Sequence, residues 1–141
     1  MSAWAGGAFD NDDAADWSED FGNADLAAGL RLITDALSAI TQADDVADLD
    51  YTTETLAVAA AELVASINGQ PIDASPYNET ARQWIARVRP IPDPALTELA
   101  RLAVSRITSP NSELAELWDQ SESAEWRSAM SALRDKLFAP R

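Results

Sequence analysis

Apolar residues recur at alternating steps of three and four along most of this chain, which is the spacing of one face of an α-helix. Alanine, the residue with the highest helix propensity, strengthens this signal because it occurs 28 times among 141 residues. The β-branched residues are scattered and no strand pattern competes well with the helical one. The sequence therefore predicts an all-α protein.

The apolar stripes, together with capping and helix-breaking residues, divide the chain into segments. The clearest stripe predicts a helix over residues 24–42, and its members are Leu26, Leu30, Ile33, Leu37 and Ile40. The predicted later starts are Thr52 or Thr53, Asn78, Asp93 before Pro94, Asn111 or Ser112, and residues 121–123. The predicted ends are Asn68-Gly69, Pro90 and Pro110. The last stripe consists of Trp126, Met130, Leu133 and Leu137.

These segments predict a single-domain bundle of five to seven helices over residues 1–141. A chain of this length buries roughly 70% of the surface that it exposes when unfolded, which is enough for one core. Residues 1–22 are expected to form an acidic anchor loop containing glycine and the first helix, and residues 24–138 the helical bundle. A short hairpin over residues 1–9 is an alternative for the start of the chain.

The residues that the chain lacks restrict its catalytic chemistry. With no cysteine and no histidine, it has no thiolate nucleophile, no imidazole base and no imidazole or thiolate ligand for a metal. The single lysine, Lys136, has no serine three positions before it, and Gly6-Gly7 is not followed by the Lys-Ser/Thr of a phosphate-binding loop. We therefore expect a protein that is not an enzyme and carries no cofactor.

Negative charge is concentrated in the first third of the chain. The protein has 24 acidic and 10 basic residues, which gives a net charge of −14. Residues 1–50 contain twelve of the acids and Arg31 as their only base. Such a surface repels nucleic acid and anionic lipid and attracts a basic protein. Because no apolar stretch reaches about 18 residues and no basic leader precedes an apolar run, we expect a cytoplasmic protein that binds neither membrane nor nucleic acid.

The most distinctive segment runs from Trp4 to Trp17 and reads WAGGAFDNDDAADW. A second motif, ELAELW, ends at Trp118 and is followed by Trp126. Together these motifs resemble the bacterial domain of unknown function 4259 family, whose members begin with Trp-Gly-x-Gly-x-Phe-Asp-Asn-Asp and end with Glu-Leu-x-Glu-Leu-Trp. Ala5 stands where that pattern has its first glycine. The resemblance implies a domain that covers nearly the whole chain, and it implies no activity.

The N-terminal motif has a structural interpretation that needs no ligand. Gly6 and Gly7 permit a sharp turn, which allows the neighbouring aromatic rings to fold back onto the helices. Asp10 or Asn11 is expected to cap the first helix, whose dipole favours acidic residues in its first turn. The expected structural anchor consists of Trp4, Phe9, Asp10 and Trp17.

The same segment also has a functional interpretation, based on three carboxylates. On a helical wheel Asp13, Asp16 and Asp20 lie within about 60° of one another. Like charges at this spacing destabilise a helix by a few tenths of a kcal/mol per pair, so we expect an arginine, a divalent cation or a partner to offset them. An oxygen-only site suits Ca²⁺ or Mg²⁺, although the segment lacks the glycine of an EF-hand loop. The arginines expected to pair with these carboxylates are among Arg82, Arg87, Arg89, Arg101 and Arg106.

Three hypotheses for function follow from these features. The leading one is a non-enzymatic interaction protein, of the immunity or inhibitor type, whose acidic surface recognises a basic protein partner. The residues of that candidate interaction or ion-pair surface are Asp12, Asp13, Asp16, Asp20, Arg82 and Arg87. The alternative is a carboxylate-based enzyme that holds a divalent metal at Asp13, Asp16 and Asp20. The third is self-association through the last helix, around Leu133 and Leu137, and the oligomeric state itself stays open.

Overall fold

Six helices make up the part of the chain that the computed structural model describes, which comprises residues 12–45, 49–70, 79–109 and 124–138. They are α1 (Asp12–Glu19), α2 (Leu26–Thr41), α3 (Tyr51–Ile67), α4 (Glu79–Val88), α5 (Pro94–Ile107) and α6 (Ala124–Phe138). These ranges contain no strand, so the prediction of an all-α bundle of five to seven helices is confirmed. Within the same ranges, no helix combines the length and the apolar character needed to cross a bilayer.

The centre of the bundle is formed by α2, α3 and α5, which pack against one another. Five consecutive residues of α3, 57–61, are fully buried, so this helix is enclosed on nearly every side. Four of the five are alanine, and their small side chains allow neighbouring helices to approach closely. The remaining helices α1, α4 and α6 pack around this centre.

The start of α3 differs from the prediction. Asp50, rather than Thr52 or Thr53, is the N-cap, and its carboxylate accepts a 2.7 Å hydrogen bond from the Thr53 N–H. Aspartate is as favourable a cap as threonine, and the prediction overlooked Asp50, which lies two positions before Thr52. The end of the helix is as predicted, since α3 stops at Ile67 and Gly69 adopts the left-handed conformation with φ 93°.

The boundary between α4 and α5 follows the predicted pattern. Asp93 caps α5 by accepting a 2.9 Å hydrogen bond from the Ala95 N–H, and Pro94 occupies the first helical position. α4 ends at Val88, just before the predicted proline break. Arg89 follows it in the left-handed conformation, with φ 50°, which glycine occupies most readily.

The apolar stripe of α6 is buried in the bundle. Met130, Leu133 and Leu137 are at most 3% exposed. Leu133 and Leu137 are therefore part of the core rather than the free apolar face that the self-association hypothesis assigned to them. Lys136 of the same helix forms a 3.5 Å ion pair with Glu62, which links α6 to α3.

Several predictions concern residues outside the described ranges. They are the hairpin over residues 1–9, the cap at Asn78, the break at Pro110, the short helix starting at Asn111 or Ser112, and the start at residues 121–123. The side chain of Trp126 is also outside them.

Candidate functional site: the acidic helix α1

One face of α1 packs into the core. Ala14, Trp17 and Ser18 are buried, and Phe21 continues this face into the turn after the helix. The rings of Trp17 and Phe21 meet edge to face, with centroids 5.0 Å apart and planes at 84°. The structure thus places Trp17 in the core. The other members of the expected anchor, Trp4, Phe9 and Asp10, lie outside the described residues, as does the side chain of Asp12.

Asp13 lies beside the N-terminus of α3. Its Oδ2 accepts a 3.1 Å hydrogen bond from the hydroxyl of Thr52, which is in the first turn of that helix. The first turn of a helix carries unpaired N–H groups and the positive end of the helix dipole. The negative charge of Asp13 is therefore placed where the backbone of α3 favours it, and the Thr52 hydroxyl serves this contact rather than capping its own helix.

Ser18 and Glu19 lie at the N-terminus of α4. The buried hydroxyl of Ser18 accepts a 3.2 Å hydrogen bond from the N–H of Ala81, the third residue of α4. The carboxylate of Glu19 accepts a 3.3 Å hydrogen bond from the hydroxyl of Thr80. Side chains of α1 thus contact the starts of two other helices.

Arg87 connects α4 back to the end of α1. Its Nη2 donates to the carbonyl oxygen of Ala24 at 2.9 Å and to that of Phe21 at 3.3 Å. Both carbonyl groups belong to the turn between α1 and α2, outside the helical hydrogen bonds, and a guanidinium with several N–H donors can bind two of them at once. This arginine binds the backbone of the turn after α1.

Two further arginines donate to carbonyl groups at helix ends. Arg106 donates through Nη1 to the carbonyl oxygens of Ile40 and Thr41 at 2.6 and 3.1 Å, at the end of α2. Arg101 donates through Nε to the carbonyl oxygen of Leu137 at 2.9 Å, near the end of α6. In α2 the last turn contains no basic residue of its own, so α5 supplies the favourable positive charge.

The predicted pairing of arginines with the carboxylates of α1 is not found among the described residues. Their ion pairs are Arg101 with Glu98, at 3.4 Å, and Lys136 with Glu62. Three of the five arginines bind backbone carbonyl groups, which compete with carboxylates for the same N–H donors. Arg82, half-buried on α4, also has a partner, and Arg89 is exposed after that helix.

Asp16 and Asp20 point away from these contacts. Both are exposed, and neither side chain forms a hydrogen bond or ion pair with a residue that the structure describes. Asp16 is on α1, and Asp20 follows four positions later in the turn after the helix. We call these two residues the outward pair. The helical-wheel prediction placed Asp13, Asp16 and Asp20 in one group, whereas the structure separates Asp13 from the outward pair.

The described residues do not contain a carboxylate cluster that could hold a metal ion. Asp13 points to the start of α3, while the outward pair faces solvent. Ca²⁺ requires six to eight oxygen ligands around one point. The candidate ligands Asp13, Asp16 and Asp20 do not converge in this way.

Ser18, Glu19 and Thr52 were missed as residues that position α1. For Ser18 the sequence contains a signal, because this polar residue falls on the apolar stripe of Ala14, Trp17 and Phe21. A buried hydroxyl at such a position requires a hydrogen-bond partner. Glu19 and Thr52 carry no comparable signal, since their roles depend on which helix packs beside α1.

A family model described as Domain of unknown function (DUF4259) matches residues 2–129, which is nearly the whole chain. The chain belongs to this family. The match extends from before α1 into α6, so all the contacts of α1 described above lie within the family domain. Neither a curated protein nor a solved structure matches the sequence.

Proposed function

We propose that this protein is a non-enzymatic, cytoplasmic interaction protein whose outward pair on α1 binds a basic protein partner, as an immunity or inhibitor protein does. The observation that carries the proposal is that Asp16 on α1 and Asp20 in the turn after it are both exposed, whereas Asp13, Ser18 and Glu19 of the same helix bind the bundle. The pair is thus available to a partner, while the helix that bears it is held in place.

A fixed helix makes a better binding surface than a flexible acidic loop. Asp13, Ser18 and Glu19 tie α1 to the starts of α3 and α4, and Arg87 ties its end. A partner therefore orders few backbone groups when it binds, which lowers the entropic cost of association. The net charge of −14 adds a long-range field that attracts a cationic protein and accelerates the encounter.

The test compares two double variants that remove the same charge. Asp16→Asn/Asp20→Asn neutralises the outward pair, and Asp35→Asn/Asp44→Asn neutralises two exposed aspartates outside α1. Each protein is immobilised and exposed to lysate of the source cells, and each captured basic protein is then purified and its binding kinetics measured. We expect the first variant to slow association by about tenfold and the second to have a much smaller effect.

Salt provides a second measurement on the same complex. Association that depends on the outward pair should weaken strongly between about 0.05 and 0.5 M salt, because the Debye length falls from more than 10 Å to below 5 Å. If the two double variants bind equally well, or if wild-type binding is unchanged at high salt, recognition through the outward pair is wrong.

A further inference from the structure

We propose that residues 12–25, here called the α1 segment, and α4 open from the bundle together as one cooperative unit. At least 50 residues of chain separate them, yet each supplies the polar groups that complete the ends of the other. This inference does not depend on the proposed partner.

The α1 segment completes the start of α4. The N–H of Ala81 is buried, and its hydrogen bond goes to the hydroxyl of Ser18 on α1. Next to it the Thr80 hydroxyl donates to Glu19. Removal of the α1 segment would take that partner away, and the N–H at the start of α4 would have to exchange its hydrogen bond for one to water.

In return, α4 completes the end of the α1 segment. Arg87 donates to the carbonyl oxygens of Phe21 and Ala24. The indole N–H of Trp84 donates to the carbonyl oxygen of Asp25 at 3.1 Å, and the Trp84 ring lies 5.1 Å from that of Phe21. If α4 moved away, the α1 segment would lose these three hydrogen bonds, the two at the start of α4 and the ring contact between Phe21 and Trp84.

Neither helix is long enough to persist without the other. α1 has eight residues and α4 has ten, whereas isolated helices shorter than about 12 to 15 residues are marginal in water. Each therefore depends on tertiary contacts, and a large part of those contacts is reciprocal. Elements coupled in this way open as one unit in native-state exchange.

The unit has consequences for the outward pair. Asp16 and Asp20 keep their relative positions only while α1 is helical, and α1 is completed by α4. A change in α4 that loosens its packing should therefore disorder the acidic surface, even though α4 does not contribute a residue to the outward pair. By linkage, a change that disorders the α1 segment should loosen the packing of α4 to the same extent.

Amide hydrogen exchange on the full chain, measured by mass spectrometry, tests this proposal from both sides. Ser18→Ala changes the α1 segment, and Arg87→Gln changes α4. We expect each variant to accelerate exchange about tenfold in residues 12–25 and in residues 79–88 alike, with α5 unaffected. A tenfold change corresponds to 1.4 kcal/mol. Ser105→Ala, on the exposed face of α5, is the matched control and should change neither segment.

Two results would overturn the cooperative unit. One is a purely local effect, in which Ser18→Ala accelerates only the first turn of α4 and Arg87→Gln only the turn after α1. The other is equal acceleration in all six helices, which indicates global unfolding alone. Because Arg87 is exposed, Arg87→Gln decides the question even if Ser18→Ala does not fold.

Discussion

The centre of the bundle and the unit formed by the α1 segment and α4 are stabilised in different ways. In the centre, apolar side chains on α2, α3 and α5 are removed from water, and residues such as Ile33, Leu37 and Ile107 are fully buried. The α1–α4 unit also buries aromatic rings, but hydrogen bonds between side chains and helix ends determine how its two helices meet.

This difference teaches where sequence patterns are informative. Apolar burial depends on the total area removed from water, so it is spread over many residues and is read from periodicity. Hydrogen bonds at helix ends depend on single atoms in particular places. We therefore expect the centre to respond to changes in volume and the unit to respond to changes in single polar groups.

The contact between the two regions should be the most sensitive to volume. The Trp84 ring packs directly on Gly29 of α2, and a Cβ atom at position 29 would overlap the indole. Gly29→Ala in an exposed helix would stabilise by about 1 kcal/mol. Here we expect the opposite sign, a loss of about 3 kcal/mol, because Trp84 is fully buried and has little room to move. Urea unfolding measures this loss.

A second substitution determines whether the indole causes the effect. In a Trp84→Phe background the side chain loses the atoms that would overlap, so Gly29→Ala should cost clearly less than in the wild type. An equal cost in both backgrounds would show that the overlap with Trp84 is not responsible.

The next largest effect should come from a helix end in the centre itself. Arg106 is half-buried and donates to two carbonyl groups at the end of α2. Arg106→Gln removes charged donors, for which we expect a loss of about 2 kcal/mol. The control, Arg31→Gln, removes an exposed arginine on α2 and should cost less than about 0.5 kcal/mol. Similar losses for both would indicate that net charge, rather than the capping contact, is what matters.

The comparison also explains which features the sequence could predict. The stripe of α2, the Gly69 end of α3 and the Asp93-Pro94 start of α5 each depend on residues close together in the chain. The last two predictions are confirmed, and in the stripe Ile33, Leu37 and Ile40 are buried as expected whereas Leu26 is exposed. The roles of Arg87 and Arg106 depend on residues more than 60 positions away, so no local pattern indicates them.

The candidate site shows the same division. The wheel correctly placed Asp13 and Asp16 on one helix, because that depends only on spacing, whereas Asp20 lies in the turn after α1. It did not separate Asp13 from the outward pair, since the distinction requires the position of α3. The cap of α3 lies between these two cases. Asp50 and the two threonines are within four residues of one another, but it is the tertiary contact with Asp13 that engages Thr52.

The smallest expected effect comes from Asp50, the N-cap of α3, whose hydrogen bond with Thr53 is local and does not depend on how the helices pack. Hydrogen bonds from the Thr53 side chain and then from its backbone N–H lower the pKa of Asp50 below its ordinary value of 3.8. The charged form is thus favoured in the folded protein. Its contribution is fully present above the unfolded-state pKa and is lost as pH falls through the lower folded-state pKa.

Asp50→Ala should therefore cost about 1 kcal/mol at neutral pH, as other cap removals do. We expect the difference from the wild type, measured by urea unfolding at several pH values, to be constant above about pH 5 and to shrink below about pH 4. Asp44→Ala, at an exposed aspartate outside any helix, is the control and should show no comparable loss at neutral pH. A difference for Asp50 that stays the same from neutral to acidic pH would mean that the cap does not depend on its charge. The α3 cap would then resemble the neutral Ser18 contact of the α1–α4 unit, and charge would not distinguish the two regions at their helix starts.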